Sequence, residues 1–257
     1  MHTRLSQANP YGHDRYGFAW EHIPANKNAH LDFGCHDGKF MQTLKAKHIG
    51  RLVGVDISKA AVEEGRRLYP ELEFIHISQT APLSFADETF DSITLLDVLE
   101  HVSEQAALLK ELHRVLKHDG KLMVTVPGRH FFSFLDMGNF KFVFPKLHRW
   151  YYCFTHSKEE YEHRYVSNPE NLIGDISAHK AWHEHFKRRK LQTLLEQCGF
   201  SVIEFDGSGF FGRLYHNIRY FFRWAKPIDA FFDGMNKLDA RLFESTHLFC
   251  LAEKQQS

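Results

Sequence analysis

The sequence lacks an excess of charge of either sign, a close pair of cysteines and a long apolar run. It has 32 basic and 32 acidic side chains, so no net field attracts it to nucleic acid. Its four cysteines are scattered and no secretory leader opens the chain, which argues against a disulfide framework and favours a reducing compartment. No apolar stretch approaches the roughly 20 residues that cross a bilayer. We therefore expect a cytoplasmic protein whose partner is a small molecule and not a nucleic acid.

Apolar and aromatic residues are plentiful. They make up 43% and 14% of the 257 residues, which is enough for one large core. Strands and helices alternate up to about residue 128, and this alternation is typical of a parallel sheet covered by helices on both faces. The predicted strands are Ala29–Phe33, Arg51–Asp56, Glu73–Ile77, Phe90–Leu95, Lys121–Val126, Ser201–Phe205 and Thr246–Ala252. The predicted helices are Lys39–Lys47, Ser58–Leu68, Glu104–Lys117 and Phe186–Gln197.

Two long segments interrupt this pattern. Residues 128–184 are rich in aromatic side chains and histidine, and they are far longer than an ordinary connection, which is typical of a functional lid. Residues 207–244 form a second aromatic insertion before the last strand. We expect one domain over residues 1–257 with both insertions added to it: an α/β, Rossmann-like, seven-stranded, mostly parallel sheet with helices on both faces and an inserted aromatic and histidine-rich cap.

A glycine turn joins the first predicted strand to the first predicted helix, in the run Leu31-Asp32-Phe33-Gly34-Cys35-His36-Asp37-Gly38. Glycine allows a sharp turn and a close approach of the backbone to a ligand. The next strand ends in Asp56, about twenty residues on, where its carboxylate can accept both hydroxyls of a ribose. Together these features predict a nucleotide site, although each also has a purely structural reading as a turn or a helix cap.

These residues resemble the motifs of the class I S-adenosylmethionine-dependent methyltransferases, particularly those acting on small molecules, lipids and glycans. The glycine turn resembles the first motif of that family, and Val55-Asp56-Ile57-Ser58 resembles its ribose-binding motif. Three further runs resemble the segments around the fourth strand and before the fifth, in the family's order. They are Leu83-Ser84-Phe85-Ala86-Asp87-Glu88-Thr89-Phe90-Asp91, Leu96-Asp97-Val98-Leu99-Glu100-His101-Val102 and Arg114-Val115-Leu116-Lys117-His118-Asp119-Gly120.

The resemblance implies S-adenosylmethionine as cofactor and assigns residues to its parts. Asp32 would orient the amino group, and the turn containing Gly34, Cys35 and Gly38 would hold the methionine portion. Asp56 would bind the ribose and Ile57 would pack on the adenine. Gln79 stands where much of the family has an acid for the adenine amino group, and Asp97 lies in the turn after the fourth strand. His36 replaces the family's middle glycine, which limits the backbone freedom of the turn.

Proton removal from a hydroxyl acceptor requires a base, and histidine suits this role. Candidates are Glu100 and His101 after the fourth strand and His179, His183 and His185 at the end of the first insertion; we favour His101 and His183. The alternative is that these residues cap a helix or lie on the surface. The same histidines with His156 or Cys153 could instead bind a metal, but their spacing matches no metal signature, so no metal is predicted.

The aromatic insertions suggest the acceptor. Several large aromatic residues of the second insertion are accompanied by the basic residues Arg213, Arg219, Arg223 and Lys226. This combination suits a hydrophobic molecule with an anionic head group. We expect a small hydrophobic, lipid-linked or glycan acceptor, methylated at oxygen, with peripheral contact at the inner membrane face as a further expectation. The rival readings are a cofactor-binding module without catalysis and a nicotinamide-dependent oxidoreductase. The oligomeric state is left open.

Overall fold

Seven strands form one sheet in a computed structural model that describes residues 9–11, 14–129, 144–167, 184–208 and 247–255. They are β1 (Ala29–Phe33), β2 (Arg51–Asp56), β3 (Glu73–His76), β4 (Phe90–Leu96), β5 (Leu116–Pro127), β6 (Phe200–Ser208) and β7 (His247–Lys254). Their order is β3-β2-β1-β4-β5-β7-β6. The neighbours from β3 to β5 pair in parallel, while β7 is antiparallel to both β5 and β6. The predicted seven-stranded, mostly parallel α/β sheet is thereby confirmed.

Helices cover both faces of the sheet. The described α-helices are α1 (Arg15–His22), α2 (Lys39–Leu44), α3 (Lys59–Leu68), α4 (Gln105–Val115), α5 (Pro145–Thr155), α6 (Lys158–Tyr161) and α7 (Arg188–Gln197), with a 3₁₀ turn over Leu99–His101 and a π-helical segment over Glu162–Ser167. Apolar residues of α4 and α7 form one core cluster with one face of the strands, and those of α1, α2 and α3 form a second cluster on the other. All five residues of β1 are buried, as expected for a parallel strand covered on both sides.

Local sequence signals explain most element boundaries. Ser58 caps α3, because its hydroxyl accepts a hydrogen bond from the Ala61 N–H at 3.3 Å. The helix expected over Lys39–Lys47 is α2 followed by a 3₁₀ turn over Lys45–Lys47. The helix expected to reach Lys117 ends at Val115, since Leu116 already pairs with Phe90 of β4, and an irregular step in the pairing follows this contact.

The helix α1 was not predicted from the sequence. Asp14 caps it by accepting a hydrogen bond from the Gly17 N–H at 2.7 Å, and Phe18 packs against Phe249 of β7, with ring centroids 5.4 Å apart. The helix has only eight residues, and isolated helices of that length are marginal in water. Contacts with the distant strand β7 therefore stabilise it, which is why local periodicity did not reveal it.

Much of the two insertions lies outside the described residues. Within the first, α5 begins with a proline at its first turn, where proline is tolerated because its missing N–H has no helical partner. No helix in the described part of the chain is both long and apolar enough to cross a membrane.

Candidate active site

A cavity of about 390 Å³ opens at the carboxyl edge of the sheet. This is within the usual size range of small-molecule sites, and it lies at the edge where open α/β sheets bind ligands. The turns after β1, β2 and β4 supply most of its wall. The lining residues are Phe33, Gly34, His36, Asp56, Ile57, Ser58, Ile77, Thr80, Leu96, Asp97, Val98, His101, Val102 and Ser103.

The first turn needs glycine at Gly34. Its φ of +83° lies in the left-handed region, and a Cβ there would stand 2.3 Å from Cγ2 of Val98. The N–H groups of Gly34 and Cys35 both donate to the carbonyl of Val55, at 2.8 and 3.1 Å, which ties the turn to β2. Gly38 also has positive φ, but its missing side chain makes room for the Phe74 ring, and it precedes α2 without lining the cavity.

His36, which stands where the family resemblance has a glycine, adopts a left-handed backbone conformation. Its φ is +48°, and histidine is among the residues that tolerate this region best. Its N–H donates to Oδ2 of Asp56 at 2.7 Å, while its side chain is 71% exposed. The substitution therefore preserves the turn, and the imidazole lies at the rim of the cavity without filling the turn itself.

Asp56 connects the first two turns. Its Oδ2 accepts from His36 and its Oδ1 accepts from the Ser58 N–H at 2.8 Å. Each carboxylate oxygen can accept more than one hydrogen bond, so Asp56 keeps acceptor capacity on the cavity side. Ile57 beside it is exposed and lines the same cavity. An apolar surface therefore adjoins a carboxylate that can accept hydrogen bonds from hydroxyl groups. This combination fits a nucleoside.

Asp32 is buried behind the turn and is not part of the cavity wall. Its Oδ1 accepts from the Thr94 hydroxyl at 2.7 Å, and Thr94 Oγ1 is in turn 3.1 Å from Nε2 of the buried His30. Burial raises the pKa of Asp32 to about 7, the Thr94 hydrogen bond opposes this rise, and the charge of Asp56 adds to it. A cationic group arriving at this edge would favour the ionised form of Asp32.

Two predicted cofactor residues contact the cavity only indirectly. The thiol of Cys35 is buried against Gly54, where a Cβ would lie 2.6 Å from the sulfur, and burial raises its pKa. Gln79 is exposed, and its neighbours Ile77 and Thr80 form that part of the wall. Their assignments to the cofactor stay predictions.

Asp97 is the centre of a cluster that the sequence did not reveal. Its Oδ1 accepts from Nε2 of His247 at 2.6 Å and from the Thr125 hydroxyl at 2.7 Å, and its Oδ2 pairs with the Arg15 guanidinium. Burial opposes ionisation of Asp97, but the hydrogen bond and charge of His247, then Arg15 and Thr125, lower its pKa to about 2. Arg15 and His247 are 82 and 150 residues from Asp97, so no local pattern could have joined them.

Glu100 and His101 follow on the same side of the cavity. The Glu100 carboxyl is buried, and neither of its oxygens has a hydrogen-bond partner among the described residues. Burial, with a contribution from the charge of Asp97, raises its pKa to about 8. His101 lines the cavity with its Nε2 3.9 Å from Oε1 of Glu100. Of the predicted bases, His179 and His183 lie outside the described residues.

The electrostatics of the site favour a cation. Asp56 and Asp97 line the cavity, with Asp32 and Glu100 buried close to it, whereas no lysine or arginine is among the described residues that line it. A dinucleotide would bring a pyrophosphate into this acidic environment, at a considerable electrostatic cost. Within the same described segments, no three His, Cys, Asp or Glu side chains lie close enough together to hold a metal.

Comparison with known sequences agrees with this geometry. Residues 31–124 match the family model described as "Methyltransferase domain". The demethylmenaquinone methyltransferase of Staphylococcus saprophyticus is 30% identical over 162 residues, which cover 61% of this chain and 62% of the relative. That of Symbiobacterium thermophilum is 31% identical over 118 residues, covering 43% and 47%. The chain thus spans about half to three fifths of the length of these relatives.

Solved structures share the fold. An S-adenosylmethionine-dependent methyltransferase of Methanosarcina mazei superposes with a TM-score of 0.55 at 19% identity, over 95% of this chain and all of that one. A phosphoethanolamine N-methyltransferase of Haemonchus contortus, solved in complex with S-adenosyl-L-methionine, gives a TM-score of 0.52 at 15% identity. It covers 91% of this chain and 50% of its own. At these identities the likeness concerns the fold.

Proposed function

Because this chain belongs to the class I S-adenosylmethionine-dependent methyltransferases, we propose that it transfers a methyl group to a small, apolar acceptor that bears an aromatic hydroxyl. The observation that carries this proposal is the acidic cavity at the carboxyl edge, in which the Asp56 carboxylate adjoins the Gly34 turn. The cofactor of the family, S-adenosylmethionine, supplies an electrophilic methyl group attached to a positively charged sulfur.

The residues around the first two turns fit this cofactor. Asp56 would hold the ribose hydroxyls through its remaining lone pairs, and Ile57 would pack against the adenine. Gly34 brings the backbone of the turn to the cavity, and Asp32 behind it would favour an amino group. The missing basic side chains in the described wall disfavour the nicotinamide alternative. The retention of Asp32, Gly34, Asp56 and Glu100 together argues against a module whose site has decayed.

The acceptor is proposed from three features. The wall beyond Asp97 is apolar, with Leu96, Val98 and Val102; two relatives are named for demethylmenaquinone; and Trp150 and Phe154 of α5 are 68% and 82% exposed. A quinol-type ring suits all three. The exposed rings of α5 also support the predicted peripheral membrane contact, where such an acceptor would dissolve. The proposed position is the hydroxyl oxygen, with the adjacent ring carbon as the alternative, because an ionised phenol is nucleophilic at both.

The protein's contribution to the reaction is alignment and exclusion of water. The turn after β1 and the turn after β4 lie side by side in the wall of the cavity, where Gly34 adjoins Val98, so a ligand bound at the first would lie next to a molecule bound at the second. A base near Asp97 or His101 would hold the proton that leaves the hydroxyl. The sequence predicts His101 and His183 for this role, and of these His101 lines the cavity, while His183 lies outside the described residues.

Calorimetry with S-adenosylmethionine and with NAD tests the cofactor half of this proposal. We expect the wild-type chain to bind S-adenosylmethionine and not NAD. Asp56→Asn should weaken that binding by about 10- to 100-fold, because hydrogen bonds to a charged group contribute about 1.5–3 kcal/mol. Asp91→Asn is the matched control, since Asp91 also accepts two backbone N–H bonds, from Asn28 and Ala29, but lies at the opposite edge of the sheet.

The acceptor half is tested by methyl transfer from labelled cofactor to a reduced naphthoquinol, with mass spectrometry and NMR of the product. Transfer to the naphthoquinol supports the proposal, and the NMR spectrum identifies the atom methylated. Binding of NAD in place of S-adenosylmethionine, or equal affinity in Asp56→Asn and the wild type, would contradict the cofactor assignment. Transfer only to a polar glycan acceptor would overturn the acceptor class.

A further inference from the structure

Three elements that are far apart in sequence meet at Asp97. Arg15 comes from α1, Asp97 from the turn after β4, and His247 is the first residue of β7. Because β7 runs antiparallel to β5, its first residue lies at the carboxyl edge of the parallel strands, level with Pro127 at the end of β5. The cluster therefore belongs to the same edge as the cavity, and Asp97 itself lines that cavity.

The hydrogen bonds give each member of the cluster a definite role. Asp97 accepts from Nε2 of His247 at 2.6 Å, so that nitrogen carries a proton and Nδ1 is left as the basic nitrogen of a neutral ring. Arg15 occupies the other carboxylate oxygen and Thr125 donates to the first. A carboxylate that orients an imidazole and stabilises its cationic form is the usual support for a general base.

The backbone of Asp97 is strained, which indicates that the surrounding structure holds this side chain in place. Its φ is +55°, a left-handed conformation that costs a non-glycine residue free energy and that is concentrated at functional sites. The side chains of Asp97 and His247 are 18% and 28% exposed. The pair is therefore mostly buried, which restricts its movement, but both side chains keep an exposed portion that a bound molecule could contact.

We infer that His247, held by Asp97 and Arg15, accepts the proton of the acceptor hydroxyl. This inference rests on the proposed function. The O–H bond of the acceptor breaks and its proton passes to Nδ1 of His247. The electron pair left on the acceptor forms the bond to the methyl carbon, the bond from sulfur to that carbon breaks, and its electrons stay on sulfur. His247 then returns the proton to water. Asp97 and Arg15 are positioning residues.

The surroundings favour His247 over His101 as the base. The titratable and charged groups that face the cluster in the described part of the chain include Arg15 of α1 and Tyr16, whose hydroxyl accepts from Arg15 at 3.0 Å. Asp97 after β4 and Glu100 in the following turn face it from the sheet side. Asp97 is ionised throughout the neutral range, whereas the buried Glu100 beside His101 is largely protonated there, because burial raises its pKa to about 8. Only the Asp97 side therefore offers a fixed negative charge to an imidazolium.

The test compares wild type, His247→Gln and His118→Gln in naphthoquinol methylation across the neutral pH range. Glutamine keeps a donor for Asp97 but cannot take up a proton. His118 is the matched control, because its Nε2 is also close to a carboxylate, 2.8 Å from Glu88, and no residue of that pair lines the cavity. We expect His247→Gln to lower kcat by about 100-fold or more and to lose the rise of kcat with pH, with the affinity for S-adenosylmethionine within about twofold of the wild type.

A second acceptor separates chemistry from structure. A ring-fluorinated naphthoquinol ionises more readily than the unsubstituted naphthoquinol. His247→Gln should therefore lower kcat far less for the fluorinated acceptor, whereas a structural defect would lower kcat equally for both. Equal losses for the two acceptors, or a wild-type rate and pH profile in His247→Gln, overturn the assignment. If only His101→Gln abolishes the pH dependence, the base is His101 and the assignment also fails. Absence of methyl transfer by the wild type would instead refute the proposed function.

Discussion

Two residues at the cavity, His36 and Asp97, have left-handed backbone conformations without being glycine. In each case a hydrogen bond at a carboxylate accompanies the strained geometry: the N–H of His36 donates to Asp56, and the side chain of Asp97 accepts from His247. The turns after β1 and β4, which both line the cavity, are therefore fixed by similar means. The strained backbone at these positions costs free energy, but it keeps the carboxylates of Asp56 and Asp97 at the wall of the cavity.

The cost at His36 can be measured with two substitutions. His36→Gly should leave the free energy of unfolding unchanged or raise it by up to about 1 kcal/mol, because the relief of strain exceeds the entropy that glycine loses on folding. His36→Val should be less stable than His36→Gly by about 1–2 kcal/mol, since β-branched residues disfavour positive φ. Urea unfolding of both variants checks this. Because the His36 side chain is largely exposed, equal stabilities would mean that the turn is not strained.

Among the elements, α1 and β7 supply the partners of Asp97 at the edge of the cavity. The helix presents Arg15 to Asp97 while Phe18 fixes it to Phe249 of β7. The strand β7 in turn places His247 at the carboxyl edge. Neither element belongs to the matched region 31–124, so the cluster around Asp97 is assembled from parts outside the segment that defines the family resemblance.

Removing the anchor of α1 should destabilise the whole chain. Phe18 is 3% exposed, and truncating a buried phenylalanine costs about 3–5 kcal/mol. We therefore expect Phe18→Ala to lower the free energy of unfolding by about that amount in urea titrations. Phe154→Ala is the control, because that ring is 82% exposed and surface changes are usually within about 0.5 kcal/mol. A similar small loss in both variants would show that α1 is not packed as described.

For the molecule as a whole, net charge is zero, but its acidic groups are unevenly distributed. Four carboxyl groups gather at the carboxyl edge of the sheet, and two of them, Asp32 and Glu100, have raised pKa values of about 7 and about 8. The folded chain therefore holds protons near neutrality that the unfolded chain would release. Such linkage makes stability fall as pH rises.

The pH window follows from the two pKa values of Glu100. Its pKa rises from the ordinary value of 4.5 to about 8 in the folded chain, so stability should be lost as pH rises through that interval. Glu100→Gln removes this dependence, and at the upper end of the interval it should be more stable than the wild type by on the order of 3 kcal/mol. Urea unfolding at about pH 5 and about pH 8 measures the difference.

The control for this experiment is Glu111→Gln. The hydrogen bond from Arg114 lowers the pKa of Glu111, so its ionisation stabilises the fold at all pH values above its unfolded pKa. Its substitution should therefore shift stability by the same amount at both pH values. Parallel curves for wild type and Glu100→Gln would show that the Glu100 carboxyl is not held in its neutral form.

Sequence patterns predicted the turn at Gly34, the placement of Asp56 at the cavity and six of the seven strands to within three residues at each end, whereas β5 begins at Leu116, five residues before the predicted Lys121. The predicted features depend on neighbours in the chain, such as a glycine that must take positive φ, so they are readable from short runs. The early end of α4 and the existence of α1 were not predicted, because pairing with β4 and packing on β7 decide them.

The sequence by itself determined that the chain forms a Rossmann-like sheet with a nucleoside-type motif at one edge, since hydrophobic periodicity and turn chemistry are local properties. Only the tertiary structure decided which side chains meet beyond that motif. The antiparallel insertion of β7 between β5 and β6 brings His247 to Asp97, and the packing of α1 brings Arg15 to the same carboxylate. Long-range contacts of this kind depend on strand order and packing, which no run of neighbouring residues specifies.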